Sequence, residues 1–241
     1  MAVNKAFDLV YLWAGGGAFV ASLTCCGYFY LFRWDEMRAA VVPVLPASES
    51  AAHDAAALAV NASLLLLFST HHSLFAREWI TRRLARIIPQ RLLRSTYVWG
   101  ASALLVFVCL LWQPMGGDMY RVTGWPAAVH AGVQLFGLWL IAQSVKSIDA
   151  LELAGIHEPT PHNLQTAGPY GVVRHPLYSG WLLAVFGAAH MTADRLAFAV
   201  LTCAYLLVAM PWEERSLVKS YGEAYQSYQR EVRWKIFPYV Y

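Results

Sequence analysis

The apolar positions of this chain gather into long runs instead of alternating with polar ones. A hydrocarbon core of about 30 Å needs roughly 20 apolar residues wound as a helix. The runs are therefore read as membrane spans: Leu9 to Phe32, Ala55 to Thr70, Thr96 to Trp112, Trp125 to Val145, Pro176 to Met191 and Leu196 to Pro211. The fifth is short for a span. Only Thr192, Ala193, Asp194 and Arg195 separate the last two, which forces a tight antiparallel helical hairpin. Gly15, Gly16 and Gly17 weaken the first helix but permit close approach by another.

Two stretches keep a helical period with one polar face. Between Arg77 and Leu93, the side chains Trp79, Ile80, Leu84, Ile87 and Ile88 alternate with arginines, the pattern of an interfacial helix ended near Pro89. After Trp212, the residues Leu217, Tyr221, Tyr225, Tyr228 and Val232 recur at helical spacing opposite Arg215, Lys219, Glu223, Gln226 and Arg230. The fold class expected is all-α. It is a polytopic membrane protein with about six transmembrane helices, a C-terminal hairpin and an amphipathic tail helix. One domain is expected over residues 1–241, with a ligand-binding loop, hairpin and tail over 146–241.

Composition agrees with the pattern. Of 241 residues, 58% are hydrophobic and 14% charged, where a soluble domain carries about 25% charged residues. That balance excludes a nucleic-acid binder, an extracellular disulfide module and a disordered tail. Cys25, Cys26, Cys109 and Cys203 all sit in apolar runs without metal-ligand spacing, so they read as small packing residues and no metal is expected. Charge orients the spans. The loop from Leu74 to Arg94 carries Arg77, Arg82, Arg83, Arg86, Arg91 and Arg94 against Glu78 and reads cytoplasmic. The loop from Arg33 to Asp54 is acidic on balance and reads outside, so both termini are expected in the cytoplasm.

The chemistry concentrates in the last third. The connector from Ser147 to His175 is polar and turn-rich, and long ordered loops tend to be functional. It runs into Arg174-His175-Pro176-Leu177-Tyr178-Ser179-Gly180, where Pro176 suits the first turn of a helix. Glu213 and Glu214 follow Pro211 at the membrane boundary. They read either as first-turn acids of a helix beginning there or as functional carboxylates. The hairpin returns the chain, so both clusters belong on one membrane side. Carboxylates, a histidine at a helix start and several aromatics suit a ligand with hydroxyls, a flat base and a cation.

The string Gly168-Pro169-Tyr170 with Arg174 to Gly180, followed by Glu213-Glu214, Tyr221-Gly222-Glu223-Ala224-Tyr225, Tyr228, Val232 and Pro238, resembles the isoprenylcysteine carboxyl methyltransferase-like superfamily. Upstream, His72-Ser73, Ala76-Arg77, Pro89, Arg94 to Val98, Trp112-Gln113-Pro114, Asp149, Leu153 and Gly155 resemble its bacterial methanethiol S-methyltransferase branch, as do His190 to Thr192. The resemblance covers roughly residues 65–238. Residues 158–167 depart from the more basic, proline-rich stretch of that branch. The resemblance implies an integral membrane enzyme using S-adenosyl-L-methionine, in a bacterial inner membrane with a cytoplasmic active site. By similarity, His175, Pro176, Tyr178, Gly180, Glu213 and Glu214 bind the cofactor, with Leu164, Gln165 and Tyr170 adding loop contacts. The acceptor, a small apolar thiol or a lipid-like molecule, is expected near His72, Arg94 and Tyr97.

Arg174 and Glu214 are the expected catalytic residues, with His72 as a third. Arg174 would favour a thiolate, and Glu214 would orient Arg174 or take a proton. His72 also reads as a satisfied interfacial histidine, and Gly180 as plain helix packing. Carboxyl methylation of isoprenylcysteine and methylation of a lipid acceptor remain the enzymatic alternatives. A non-enzymatic membrane subunit or transporter is the alternative from another class. It would line its helix centres with polar residues, where this chain offers only modest exceptions such as Asn61 and Gln134.

Overall fold

The computed structural model describes residues 2–33, 51–75, 77–146, 150–157 and 164–241. Its helices are α1 (Ala2–Tyr28, continued by a π-turn Phe29–Arg33), α2 (Ala51–Leu74), α3 (Glu78–Leu84), α4 (Gln90–Leu111), α5 (Trp125–Lys146), α6 (Ala150–Leu153), α7 (Pro176–Phe186), α8 (Ala193–Tyr221) and α9 (Glu223–Glu231). Strands β1 (Asp118–Arg121) and β2 (His190–Thr192) form an antiparallel pair with a bulge between Asp118 and Tyr120. The protein is an all-α polytopic membrane protein. Among the described residues five helices are long and apolar enough to cross a membrane, and α7 is a shorter apolar helix. Residues 34–50, 147–149 and 158–163 lie outside the described residues, and with them most of the segment expected as an acidic outer loop and part of the connector expected to be turn-rich.

The chain divides into two compact units, Met1–Gly117 with Ala150–Pro159, and Asp118–Asp149 with Thr160–Tyr241. In the first, α4 packs on both α1 and α2. Gly15 and Gly16 are where neighbours come close: a Cβ on Gly15 would lie 2.7 Å from Ser95 Oγ, and one on Gly16 2.7 Å from Ile156, while Gly17 faces open space. Tyr11 and Thr96 hydroxyls meet at 3.0 Å, and Trp99 donates to the Tyr11 carbonyl at 3.2 Å. The thiols of Cys25 and Cys26 both reach Cys109 on α4, a convergence that spacing did not suggest. Asn61, one of the two polar exceptions, has a structural task. Its amide donates to the Gln113 carbonyl at 2.8 Å and accepts from the Gln113 N–H at 2.7 Å, satisfying the backbone where α4 has just ended.

In the second unit, α5 packs along α7, and α7 and α8 form the hairpin. The α5–α7 approach is closest at two glycines. A Cβ on Gly180 would lie 2.6 Å from the Gly137 carbonyl oxygen, and one on Gly137 2.6 Å from the Gly180 oxygen.

Four boundaries differ from the sequence expectation. The fifth span is only the eleven residues Pro176–Phe186, about 16 Å of helix against about 30 Å of hydrocarbon. The chain then leaves helical geometry and becomes extended at His190–Thr192, and its carbonyls are satisfied from α5, α8 and the segment around β1. Gln134 Nε2 donates to Ala184 O at 2.9 Å, His130 Nδ1 to Gly187 O at 3.2 Å, and Tyr120 Oη to Ala188 O at 3.0 Å. Val122 N–H donates to Ala189 O at 2.8 Å, and Arg195 Nη1 to His190 O at 2.6 Å. Buried backbone that leaves a helix needs such partners. Gln134, the second polar exception, is thus also a backbone cap.

The sixth span does not end at Pro211. It runs through that residue to Tyr221, so Glu213 and Glu214 are helix-interior residues and the first-turn reading of them is overturned. The continuous tail helix expected after Trp212 is divided at Gly222, whose φ of 56° is open to glycine without steric cost. Finally, the arginine-rich stretch is the short α3 followed by turns. The helix beyond Pro89 begins at Gln90, so the third span starts earlier than expected.

Candidate functional site

The site in the second unit is built on residues 168–180. A 3₁₀ turn over Gly168–Gly171 carries Tyr170, and the chain reaches Arg174, His175 and Pro176 at the start of α7. Proline fixes the first helical residue, and its ring holds His175 out of helical geometry, at φ −123° and ψ 61°. The His175 N–H is therefore free to bond elsewhere, and it donates to the Lys235 carbonyl at 2.8 Å.

That bond is one of a series. The Arg174 guanidinium donates from Nη1 to the carbonyls of Val232 and Arg233, both at 2.8 Å. The Arg174 backbone N–H donates to Trp234 at 2.9 Å. The Ser179 hydroxyl donates to Ile236. Five consecutive carbonyls, from Val232 to Ile236, are thus received by Arg174, His175 and Ser179. The segment after α9 is gripped through its backbone. Tyr228 of α9 adds a bond from its hydroxyl to the Tyr170 carbonyl at 2.7 Å.

Carboxylates complete the cluster. Arg174 Nε lies 2.7 Å from Glu214 Oε1, with both side chains largely buried. His175 Nε2 approaches the same oxygen at 3.3 Å. Glu213 differs. Its Oε2 accepts from the Tyr178 hydroxyl and lies 3.8 Å from His175 Nδ1, yet its side chain is 46% exposed. The rings of His175 and Tyr178 stack with centroids 5.1 Å apart. Desolvation is felt by the nearby phenols. Burial pushes Tyr228 up to about 12, and burial with the Glu213 charge raises Tyr170. Tyr225 is raised as well, by burial first and then by the Glu214 charge. Among the described residues its buried hydroxyl has no hydrogen-bond partner, a costly state for a polar group.

The structure therefore brings together Tyr170, Arg174, His175, Tyr178, Glu213 and Glu214. Pro176 is buried at the helix start, Leu164 is half-buried and Gln165 is exposed. Gly180 is buried against α5, where its missing side chain admits the Gly137 backbone. Tyr225 was legible in the sequence only as one member of a tyrosine stripe. Nothing in the spacing marks its hydroxyl as one of those without a partner among the described residues.

The phospholipid methyltransferase family matches residues 128–224, which includes the hairpin and both glutamates. The chain is 37% identical over 186 residues to methanethiol S-methyltransferase 2 of Bradyrhizobium diazoefficiens, covering 73% of this chain and 71% of the relative. It is 33% identical over 229 residues to the methanethiol S-methyltransferase of Mycobacterium tuberculosis, covering 90% of this chain and 92% of the relative. The chain belongs to the methanethiol S-methyltransferase family. It is an integral membrane methyltransferase. A shorter match, 34% over 83 residues, covers 33% of this chain and 42% of protein-S-isoprenylcysteine O-methyltransferase B of Arabidopsis thaliana. No solved structure matches the chain. Membership in a methyltransferase family implies S-adenosylmethionine as methyl donor.

The remaining residues expected at the site belong to the first unit, where they form a cluster of their own. His72 Nδ1 and the Tyr97 hydroxyl are 2.7 Å apart. Arg94 lies over the Tyr97 ring at 5.5 Å and donates from Nε to the Glu152 carbonyl at 3.3 Å. His72 stacks on Phe68 at 5.7 Å, and the neighbouring His71 stacks between Phe75 at 4.3 Å and Tyr97 at 5.6 Å. His71 was not singled out in the sequence. Its adjacency to His72 was the available signal.

Proposed function

We propose that this chain transfers the methyl group of S-adenosylmethionine to a small thiol such as methanethiol, at the cytoplasmic face of a bacterial inner membrane. The observation that carries the reading is a buried Tyr225 hydroxyl, without a partner among the described residues, in the same cluster as a half-exposed Glu213 carboxylate beside the stacked His175 and Tyr178 rings. These groups fit the cofactor's chemistry. A carboxylate accepts hydrogen bonds from ribose hydroxyls or an ammonium, a phenol completes its own bond with a polar ligand, and aromatic faces attract a cation. When bound, S-adenosylmethionine supplies a methyl group on a positively charged sulfur, open to in-line attack.

The chain's own residues then have divided roles. Glu213, Tyr178, His175 and Tyr225 hold the polar parts of the ligand, with Tyr170, Leu164 and Gln165 closing the loop side. Glu214 keeps Arg174 and His175 in place, since both donate to its Oε1. Arg174 is accordingly a positioning residue that fastens the tail, in place of the thiolate-stabilising role expected from the sequence. Pro176 and Gly180 set the start and the seat of α7. The region 146–241 acts as the cofactor-binding part of the protein. His72, Arg94 and Tyr97 carry the acceptor assignment, which rests on the family resemblance. The reactive acceptor form is the thiolate, and alignment of the two sulfur centres supplies much of the rate.

The test is ligand-induced stabilisation. S-adenosylhomocysteine should raise the melting temperature of the purified protein by mass action on the folded state. His175→Ala, and truncation before Ser220, should each abolish that rise while the protein still inserts into membranes. A truncated protein that keeps the full rise rules out the tail as part of the cofactor enclosure.

A further inference from the structure

In the first unit, residues 75–89 join α2 to α4, so both ends of this segment are held by helices long and apolar enough to span a membrane. The segment is thereby tied to the bilayer surface. Within it α3 ends at Leu84, but helical winding goes on through turns. Ala85 N–H donates to Thr81 O at 2.9 Å, Arg86 N–H to Arg83 O at 3.2 Å, and Ile88 N–H to Leu84 O at 2.8 Å. Positions three and four apart therefore share a face as far as Ile88.

The faces do not divide as the sequence pattern expects. Ile80, Leu84 and Ile88 are half-buried on the inner face. Trp79 and Ile87, expected beside them, stand on the outer face with the exposed Arg82, Arg83 and Arg86. Trp79 is 52% and Ile87 84% exposed. The Arg83 guanidinium lies over the Trp79 ring at 5.7 Å, and a stacked guanidinium still presents its N–H donors in its own plane. Two further arginines of the stretch are engaged elsewhere, Arg91 with Asp8 at 2.6 Å and Arg94 with the Tyr97 ring and the Glu152 carbonyl. Arg83 and Arg86 make no ion pair among the described residues.

Two large apolar side chains among three arginines suit neither surrounding phase alone. Water leaves Trp79 and Ile87 unburied, and hydrocarbon leaves the guanidinium groups without partners. The headgroup layer satisfies both. Apolar side chains reach the acyl boundary there, while each guanidinium meets phosphate through paired N–H donors.

We propose that the exposed face of residues 79–87 is a binding site for anionic phospholipid headgroups, with Arg83 and Arg86 on the phosphate and Trp79 and Ile87 seated at the acyl boundary. The partner is an anionic lipid of the surrounding bilayer, of the phosphatidylglycerol type. A zwitterionic headgroup is disfavoured because it brings its own cation up to the same arginines. The site lies outside the methyl-transfer reading and does not depend on it.

The experiment uses the full chain in nanodiscs holding equal amounts of phosphatidylglycerol and phosphatidylcholine, one of the two carrying a diazirine close to its headgroup. After photolysis the labelled peptides are mapped. Each arginine near an anionic surface favours it about fivefold. Label on 79–87 should therefore come from phosphatidylglycerol in an excess of at least about 25-fold, and Arg83→Gln combined with Arg86→Gln should lower that excess by about 25-fold. Lysine at both positions keeps the charge and should keep most of the excess. Raising salt from about 0.1 M to 1 M shortens the screening length from about 10 Å to 3 Å, which should erode the excess in the wild type without any substitution. Equal labelling of 79–87 by the two lipids overturns the proposal and leaves the segment an unselective interfacial contact. An excess that survives the double glutamine substitution overturns the assignment to Arg83 and Arg86. Displacement of the lipid label by soluble glycerol 3-phosphate overturns the bilayer as partner and makes the face an anion site that needs no membrane.

Discussion

The molecule holds two histidine clusters built on different physics. In the second unit, His175 sits among charges: Glu214 bridges it to Arg174, Glu213 lies beside it, and the guanidinium is spent on tail carbonyls. In the first, His71 and His72 sit among rings: Phe68, Phe75 and Tyr97, with Arg94 over the Tyr97 face. Removing one partner from a buried ion pair strands the other charge, whereas removing a ring contact or a neutral hydrogen bond strands little. The charged arrangement is therefore brittle to substitution and the aromatic one tolerant.

The sharpest break of that contrast is Arg174→Ala. It removes the Glu214 guanidinium partner, leaves only His175 on that carboxylate and frees two tail carbonyls, so a stability loss of about 3–5 kcal/mol is expected. Limited proteolysis should then cut the chain after α9, and the S-adenosylhomocysteine response should vanish. An Arg174→Ala protein that melts as the wild type would show that the clasp contributes nothing to the tail's position. Glu214→Gln keeps the shape and one acceptor. Activity should drop at least tenfold, about 1.4 kcal/mol of transition-state stabilisation, with insertion intact. Full turnover in this variant would make Glu214 a bystander. On the aromatic side, Tyr97→Phe removes the bond to His72, and a loss of only about 0.5–1.5 kcal/mol is expected. A collapse comparable to that of Arg174→Ala would erase the distinction between the clusters.

The smallest effect is a titration. The folded pKa of Tyr228 stands at about 12, above an unfolded value of about 10. The folded state holds this proton more tightly, so its contribution is complete below about pH 10 and lost as pH rises towards 12. Tyrosinate absorbance followed with proteolytic sensitivity should show α9 loosening across that window in the wild type. A Tyr228→Phe variant should lack this component, and the same profile in both would assign the alkaline loosening to another group.

Most of the fold and half of the site were legible because lipid and proline leave strong marks. The apolar runs gave the long helices, and Arg174-His175-Pro176 with the glutamate pair gave the charged cluster. What stayed hidden depends on backbone partners. Pro211 looks like a helix end, but the helix persists through it. The fifth run looks like a full span because its extended part is as apolar as a helix. It ends at Phe186 because Gln134, His130 and Tyr120 offer its carbonyls alternatives. Arg174 reads as a charge facing a substrate, and only the tail's carbonyls reveal it as a fastener.

The α7 clasp receives the tail through its carbonyls across Val232–Ile236, so what it recognises is chain length and path, and of these side chains Ile236 alone is buried. Substitutions such as Arg233→Gln or Lys235→Gln leave every one of those acceptors in place. A one-residue insertion between Glu231 and Val232 would instead offset all five and pull Phe237 out of the groove it lines with Val133 of α5 and Leu183 of α7. Evolution can thus rewrite the exposed letters of this segment, such as Arg233, cheaply, but it has almost no freedom to change their number.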